Sequence, residues 1–126
     1  MKFSSEKPSI FEKCRERFGV NWGSVIITYG DTIYSKNPPV DNIIVHEKVH
    51  IKQQAEIGAD AWWDRYFEDK DFRLLQELEA HKAQLKFIRE NYPRLERRRW
   101  EKHIYSSFAG NYGGIITKEL AKELLK

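Results

Sequence analysis

The sequence predicts a mainly helical α+β fold with one small, early β hairpin or sheet, and three observations lead there. Only one segment, Ser24-Val-Ile-Ile-Thr-Tyr29, is strongly rich in β-branched residues, and it is followed by a Gly30-Asp31 turn and a return strand over Thr32–Ser35. From Asp41 onward the apolar residues recur at helical spacing. No repeat, low-complexity stretch or Pro/Gly/Ser-rich linker divides the chain, so residues 1–126 read as a single domain.

The elements follow in order. A first helix is expected over Pro8 to Phe18, with proline in its opening turn, Ile10, Phe11, Cys14 and Phe18 as its apolar stripe, and Gly19 as its stop. Asn37-Pro38-Pro39 ends the hairpin. Asp41 or Asn42 caps the next helix, which Gly58 terminates, and Ala59–Phe67 forms a shorter one containing Trp62 and Trp63. Asp71 caps a long helix reaching Asn91, where Tyr92-Pro93 breaks it. Leu95–Ser107 is helical, Ala109–Gly114 is a loop, and Thr117 caps a last helix.

Composition narrows the class. With 126 residues, 40% of them apolar, the chain can bury a core without disulfides, and its one cysteine, Cys14, could form none internally. The polar start after Met-Lys-Phe is unlike a signal peptide, so the expected location is cytoplasmic. No apolar run approaches the roughly 20 residues of a membrane span. Net charge is only +3, from 22 basic and 19 acidic residues. The local excess at Arg94, Arg97, Arg98, Arg99 and Lys102 is interrupted by Glu96 and Glu101, and reads as a solvated helix face rather than a nucleic-acid surface.

Chemistry concentrates in Ile44-Val-His-Glu-Lys-Val-His50. Residues four apart on a helix share a face, so His46 and His50 can aim at one cation while Glu47 reaches a water beside it. For 4 His and 13 Glu, random placement yields the bare pattern roughly once in 80 such chains. Zinc suits this donor set, and a catalytic zinc site uses three protein ligands. The continuation that supplies a third histidine from the same segment is excluded, because Gln53 and Glu56 stand where glycine and histidine would be needed. The later segment Phe72–His81 offers Glu77, Glu79 and His81. At about 100° per residue, Leu74, Leu78, His81, Leu85 and Ile88 form one stripe, with Glu77 at its border and Glu79 nearly opposite, which favours Glu77.

The motif together with Glu77-Leu-Glu-Ala-His81 resembles the gluzincin type of zinc-dependent peptidase, and Gln53-Gln54 makes it similar to small phage- and bacterium-encoded metallopeptidases of that clan. The resemblance covers roughly Val25 to Arg89, and more loosely Tyr112-Gly-Gly. It implies a zincin-like minimal core, Zn2+ as cofactor, His46, His50 and Glu77 as metal ligands, Glu47 as general base, and a peptide or protein substrate laid along a sheet edge near Tyr29–Tyr34. The chain departs from that pattern at His81, where Asp or Asn is usual. His81 can orient a liganding imidazole from behind, approach the metal itself, or be a hydrogen-bonded core histidine.

Peptide hydrolysis also needs an oxyanion donor, for which Tyr112 is the first candidate, then His103 and Tyr105. Trp62, Trp63, Tyr66 and Phe67 read as core that could border a substrate groove. The alternative to a peptidase is a non-catalytic binding or structural module, phage-encoded for instance, in which zinc braces two helices. Retention of Glu47 favours catalysis, since a structural site needs no base.

Overall fold

A computed structural model describes residues 1–126. The element order is β1 (Lys2–Ser4), α1 (Phe11–Phe18), β2 (Ile26–Tyr29), β3 (Thr32–Ser35), α2 (Asp41–Ile57), α3 (Ala59–Glu68), α4 (Lys70–Asn91), α5 (Arg94–Gly110) and α6 (Lys118–Leu124). This is the mainly helical α+β class that the sequence predicts. No helix is long and apolar enough to cross a membrane.

The hairpin forms as expected, with Ile26 opposite Ser35 and Tyr29 opposite Thr32, although its first strand begins at Ile26 rather than Ser24. It is not alone. β1 pairs in parallel with β3, so the sheet order is β1-β3-β2 and β3 lies inside it. The substrate edge expected at Tyr29–Tyr34 is therefore corrected, because Thr32–Tyr34 are flanked on both sides and only β2 presents an outer edge towards α2 and α3. Part of that edge is already used. The Thr28 carbonyl accepts from Trp63 Nε1 at 3.0 Å and from Gln54 Nε2 at 2.7 Å. Gln54 Oε1 in turn accepts from the Gly30 amide at 2.7 Å, which ties α2 to the hairpin turn.

Several helix boundaries also move. α1 starts at Phe11, after a turn closed by Phe11 N–H on Pro8 O, so residues 8–10 precede the helix. Neither Asp41 nor Asn42 caps α2: the N-cap position is Val40, and the fully buried Asn42 side chain bonds instead to Gln84 of α4 and to Tyr92 at its C-cap. The cap of α4 is Asp69, whose carboxylate accepts from Phe72 N–H, in place of Asp71. α5 runs through Gly110, so Ala109 and Gly110 are helical rather than loop. Gly58, at φ 92°, takes a conformation that side chains disfavour, and it separates α2 from α3 without any intervening loop. Thr117 caps α6 as expected, accepting from Leu120 N–H.

Two apolar clusters flank the middle of the chain. One joins α1 and β2 to α3 through Phe11, Cys14, Ile27, Trp62, Trp63 and Phe67; the other joins α4, α5 and α6 through Leu85, Ile88, Ile104, Phe108 and Ala121. Each large buried side chain contributes about 1.5–3 kcal/mol of transfer free energy. α4 contributes to both, through Phe72 and through Leu85 and Ile88, and Tyr112 touches both clusters. The polar residues gathered on the facing sides of α2 and α4 make up the site.

Candidate metal centre

α2 supplies His46, Glu47 and His50, and α4 supplies Glu77 and His81, all of them buried. Helical geometry accounts for the first set, since positions 46 and 50 stand one turn apart on one face. Their Nε2 atoms lie 3.2 Å apart, and Glu77 Oε1 lies 3.0 Å from His46 Nε2 and 3.1 Å from His50 Nε2. Glu77 is 3% exposed, whereas Glu79 faces outward. Glu79 does not meet Lys82 or Lys86; its Oε1 accepts instead from Gln53 Nε2 at 3.2 Å.

The far side of each imidazole is held by an amide. His50 Nδ1 donates to Gln53 Oε1 at 2.8 Å, and His46 Nδ1 donates to Gln84 Oε1 at 3.1 Å. The amide orientations are fixed in turn, because Gln84 Nε2 donates to Asn42 Oδ1 at 2.7 Å and Gln53 Nε2 to the Gln76 carbonyl at 3.1 Å. With the proton on Nδ1, both Nε2 lone pairs point at Glu77 Oε1. Three acceptors then converge with no donor between them, which is the arrangement a cation resolves. Ligands at roughly 2.0–2.1 Å from one tetrahedral centre stand about 3.3 Å apart, close to the observed triangle. The residues fit zinc.

In the metal-free protein a proton does this work. Burial alone would strip the charge from His50, but the Glu77 carboxylate outweighs it, and the pKa rises to about 9. Burial likewise opposes the Glu77 charge, yet His50 and His46 overcome it and hold the carboxyl well below its usual range. Glu77 Oε2 accepts a 2.6 Å hydrogen bond from the Tyr66 hydroxyl, which leaves only Oε1 facing the histidines. Tyr66 read as core in the sequence. It is core, but with its polar tip on the Glu77 carboxylate.

Glu47 stands apart from this triangle. Its Oε1 accepts from Thr28 Oγ1 at 3.0 Å, and its Oε2 lies 3.6 Å from His46 Nε2. Burial raises its pKa, only partly offset by the two histidines, so its carboxylate is more basic than an ordinary one.

His81 does not bond to either imidazole. Its Nδ1 donates to Gln84 Oε1 at 3.2 Å, and its Nε2 accepts from the Tyr112 hydroxyl at 3.2 Å. Burial depresses its pKa to about 3, so it is neutral. The direct contact on His46 belongs to Gln84, which sequence reasoning missed, while His81 shares that amide from the other side. His81 still lies close enough to His46 and Glu77 for the three to form a second possible metal-holding group. Its lone pair, however, is engaged by Tyr112.

Tyr112 takes a left-handed conformation, φ 60°, ahead of Gly113 and Gly114. Its carbonyl accepts from Arg73 Nε at 2.8 Å, and Arg73 Nη1 donates to the Tyr66 carbonyl at 2.7 Å. One buried guanidinium thus ties together the backbones of the two tyrosines whose hydroxyls reach the site. Burial, with the Glu77 and Glu47 carboxylates nearby, raises the Tyr112 pKa well above the usual phenol value. Of the other oxyanion candidates, His103 lies on the wall of the adjoining cavity, and Tyr105 is not part of that wall.

The cavity measures about 600 Å³ and opens onto His46, Glu47, His50 and Glu77. α5 forms one wall through Trp100 and His103, and the segment between α1 and β2 forms the other through Val20 and Val25. Trp62, Trp63 and Tyr66 contribute to its lining as well as to the core. The basic run on α5 lies elsewhere: none of Arg94, Arg97, Arg98, Arg99 or Lys102 lines the cavity. No protein-family model, curated protein or solved structure matches this chain.

Proposed function

We propose that the chain is a small zinc-dependent peptidase with a zincin-like core of gluzincin type, in which His46, His50 and Glu77 hold the metal and Glu47 is the general base. One observation carries the reading. Glu47 is a carboxylate, 6% exposed, that pairs with no Lys or Arg, is anchored on Thr28 by one oxygen, and points the other past His46 Nε2. Burying such a group costs several kcal/mol, roughly, and a purely structural zinc site would gain nothing from it.

When bound, zinc supplies Lewis acidity, which lowers the pKa of water from about 15.7 towards 7 and polarises a carbonyl. The chain's own residues do the rest. Glu47 Oε2 takes the proton of the attacking water and passes it to the departing amine, a role suited to a carboxylate of raised pKa. Gln84 and Gln53 keep both ligand imidazoles turned with Nε2 inward. Tyr112, whose phenol stays protonated, turns its O–H from His81 Nε2 to the oxygen that gains negative charge as the carbonyl is attacked. The substrate is a peptide or protein segment lying in the cavity between α5 and β2.

The test is a digest of a broad peptide library by the zinc-reconstituted protein beside its Glu47→Gln variant. Glu47→Gln keeps size and hydrogen bonding, so zinc stays bound while cleavage falls by about 10²-fold or more. A zinc-loaded wild type that cleaves nothing would instead favour a module in which zinc only braces α2 on α4.

A further inference from the structure

A third of this chain is Asp, Glu, Lys or Arg, but among the 27 residues lining the cavity only Glu47 and Glu77 are. Both belong to the metal centre, Glu77 held by the two imidazoles and Tyr66, and Glu47 held through one oxygen by Thr28. Apart from His103, the remaining wall is apolar or neutral. It includes Val20, Val25, Ile26, Ile43, Trp100 and Ile104, with Ser106, Ser107 and Asn111 as small uncharged donors and acceptors. Away from the metal centre, a free α-amino or α-carboxylate group seated against this wall would lose its hydration and find no counter-charge. The same holds for Asp, Glu, Lys or Arg side chains. An internal segment of apolar residues carries no such penalty, and its amide groups can bond to the neutral donors and acceptors of the wall.

From this composition we infer that the cleft takes internal, uncharged, apolar segments of a polypeptide and rejects both chain termini and charged side chains; under the peptidase reading the enzyme is an endopeptidase. The inference rests on that reading for cleavage but not for binding. Ser106 on α5, which is exposed and lines the cavity, is a position where the preference can be changed without disturbing the core.

Two arms test it. In the first, Glu47→Gln protein loaded with zinc is titrated with the capped peptide Ac-Ala-Ala-Phe-Leu-Ala-Ala-NH2, followed by tryptophan fluorescence because Trp62, Trp63 and Trp100 all line the space. Versions with free termini, or with Lys or Asp in place of Phe or Leu, are expected to bind at least about tenfold more weakly. In the second, zinc-loaded wild type cleaves the capped peptide internally, and Ser106→Glu shifts the preference towards the Lys-containing version. Equal binding of charged and apolar peptides, removal of single terminal residues, or an unchanged preference in Ser106→Glu overturns the inference. Selective binding of the capped peptide without any cleavage leaves the cleft assignment standing and overturns only the peptidase reading.

Discussion

Gln84 Oε1 stands 3.1 Å from His46 Nδ1 and 3.2 Å from His81 Nδ1, so one amide oxygen accepts from two imidazoles and fixes the tautomer of both. Its own orientation is set by Asn42, which receives the amide N–H at 2.7 Å. Replacing Gln84 with Met keeps the bulk and removes the acceptor. Zinc affinity, measured by competition with a chromophoric chelator, is expected to fall about 10- to 100-fold, as losses behind a liganding histidine do. Gln84→Glu, which retains an acceptor, is expected to lose less. Equal affinity in Gln84→Met and wild type would remove the orienting role.

Metal binding itself separates the two acidic candidates on α4. His46→Ala, His50→Ala and Glu77→Ala should each abolish or strongly weaken binding of a single zinc, read as metal content after gel filtration. Glu79→Ala should leave it intact and change stability by no more than about 0.5 kcal/mol, as surface substitutions do. Glu79 is exposed, and when it is lost Gln53 Nε2 still has the Gln76 carbonyl. Zinc retained in Glu77→Ala but lost in Glu79→Ala would reverse the assignment.

What the sequence made legible was periodic, and what it hid depended on packing. The i, i+4 spacing and the 100° helical step were enough to place His46, His50 and Glu77 side by side, and to turn Glu79 outward. Gln53, Gln84 and Tyr66 carried no such signal, because an amide or phenol becomes part of a site only once α2, α3 and α4 are laid against each other. His81 sat on the expected stripe, but its partner could not be read from spacing: Tyr112 arrives from beyond α5. β1 was missed because Lys2–Ser4 has no pattern of its own and becomes a strand only by pairing with β3. The two displaced caps have separate causes: the Asn42 side chain is taken up by Gln84 and Tyr92, and Asp69 stands one residue before the first turn of α4.

Cys14 predicts a pH dependence away from the metal centre. Burial pushes its thiol up to about 12 from 9, with Lys13 opposing only weakly. A group whose pKa is raised on folding contributes stability that is present below its unfolded pKa and lost as pH rises towards the folded value. Stability to urea should therefore decline between about pH 9 and 12, and Cys14→Ala should flatten that decline at some cost in packing. Native Cys14 should also resist alkylation at pH 8 until denaturant is added. Rapid alkylation of the folded protein would contradict its burial.

Zinc uptake should be linked to protons. His50 in the metal-free protein keeps its charge up to about pH 9 because of Glu77, and a metal must displace that proton. Apparent zinc affinity should rise by about tenfold per pH unit below this range and level off above it. In the metal-free protein the sign is opposite: the stability from the charged His50 is complete below the unfolded value of 6.5 and lost as pH rises through about 9. Calorimetry in buffers of different ionisation enthalpy measures the proton count directly. Release of no proton at pH 7 would show that the site is already deprotonated before metal arrives.

Arg73 is the remaining test, because it connects the C-terminal loop to the site without touching a ligand. Its guanidinium is 5% exposed and has no carboxylate within ion-pair distance; its charge is met by the carbonyls of Tyr66 and Tyr112 and by the rings of Phe18 and Tyr66, whose centroids lie 5.1 and 5.8 Å away. Hydrogen bonds from a charged donor are worth about 1.5–3 kcal/mol each, so Arg73→Met should destabilise the chain by several kcal/mol, roughly. Arg73→Lys keeps the charge but not the planar fork that spans two carbonyls, and should restore only part of this. The local consequence is more specific. Without the bond to its carbonyl, the left-handed backbone of Tyr112 keeps only the Gly114 N–H to Asn111 carbonyl turn and its side-chain packing, and its hydroxyl should leave His81 Nε2. Hydrogen exchange should then quicken through residues 111–117 while α2 and the first half of α4 keep their protection. Zinc affinity should change little, because none of the three ligands contacts Arg73, whereas turnover under the peptidase reading should fall through kcat more than KM. If Arg73→Met loses zinc together with its fold, and Arg73→Lys behaves as wild type in exchange at 111–117, the guanidinium serves the core alone and Tyr112 is placed by other means.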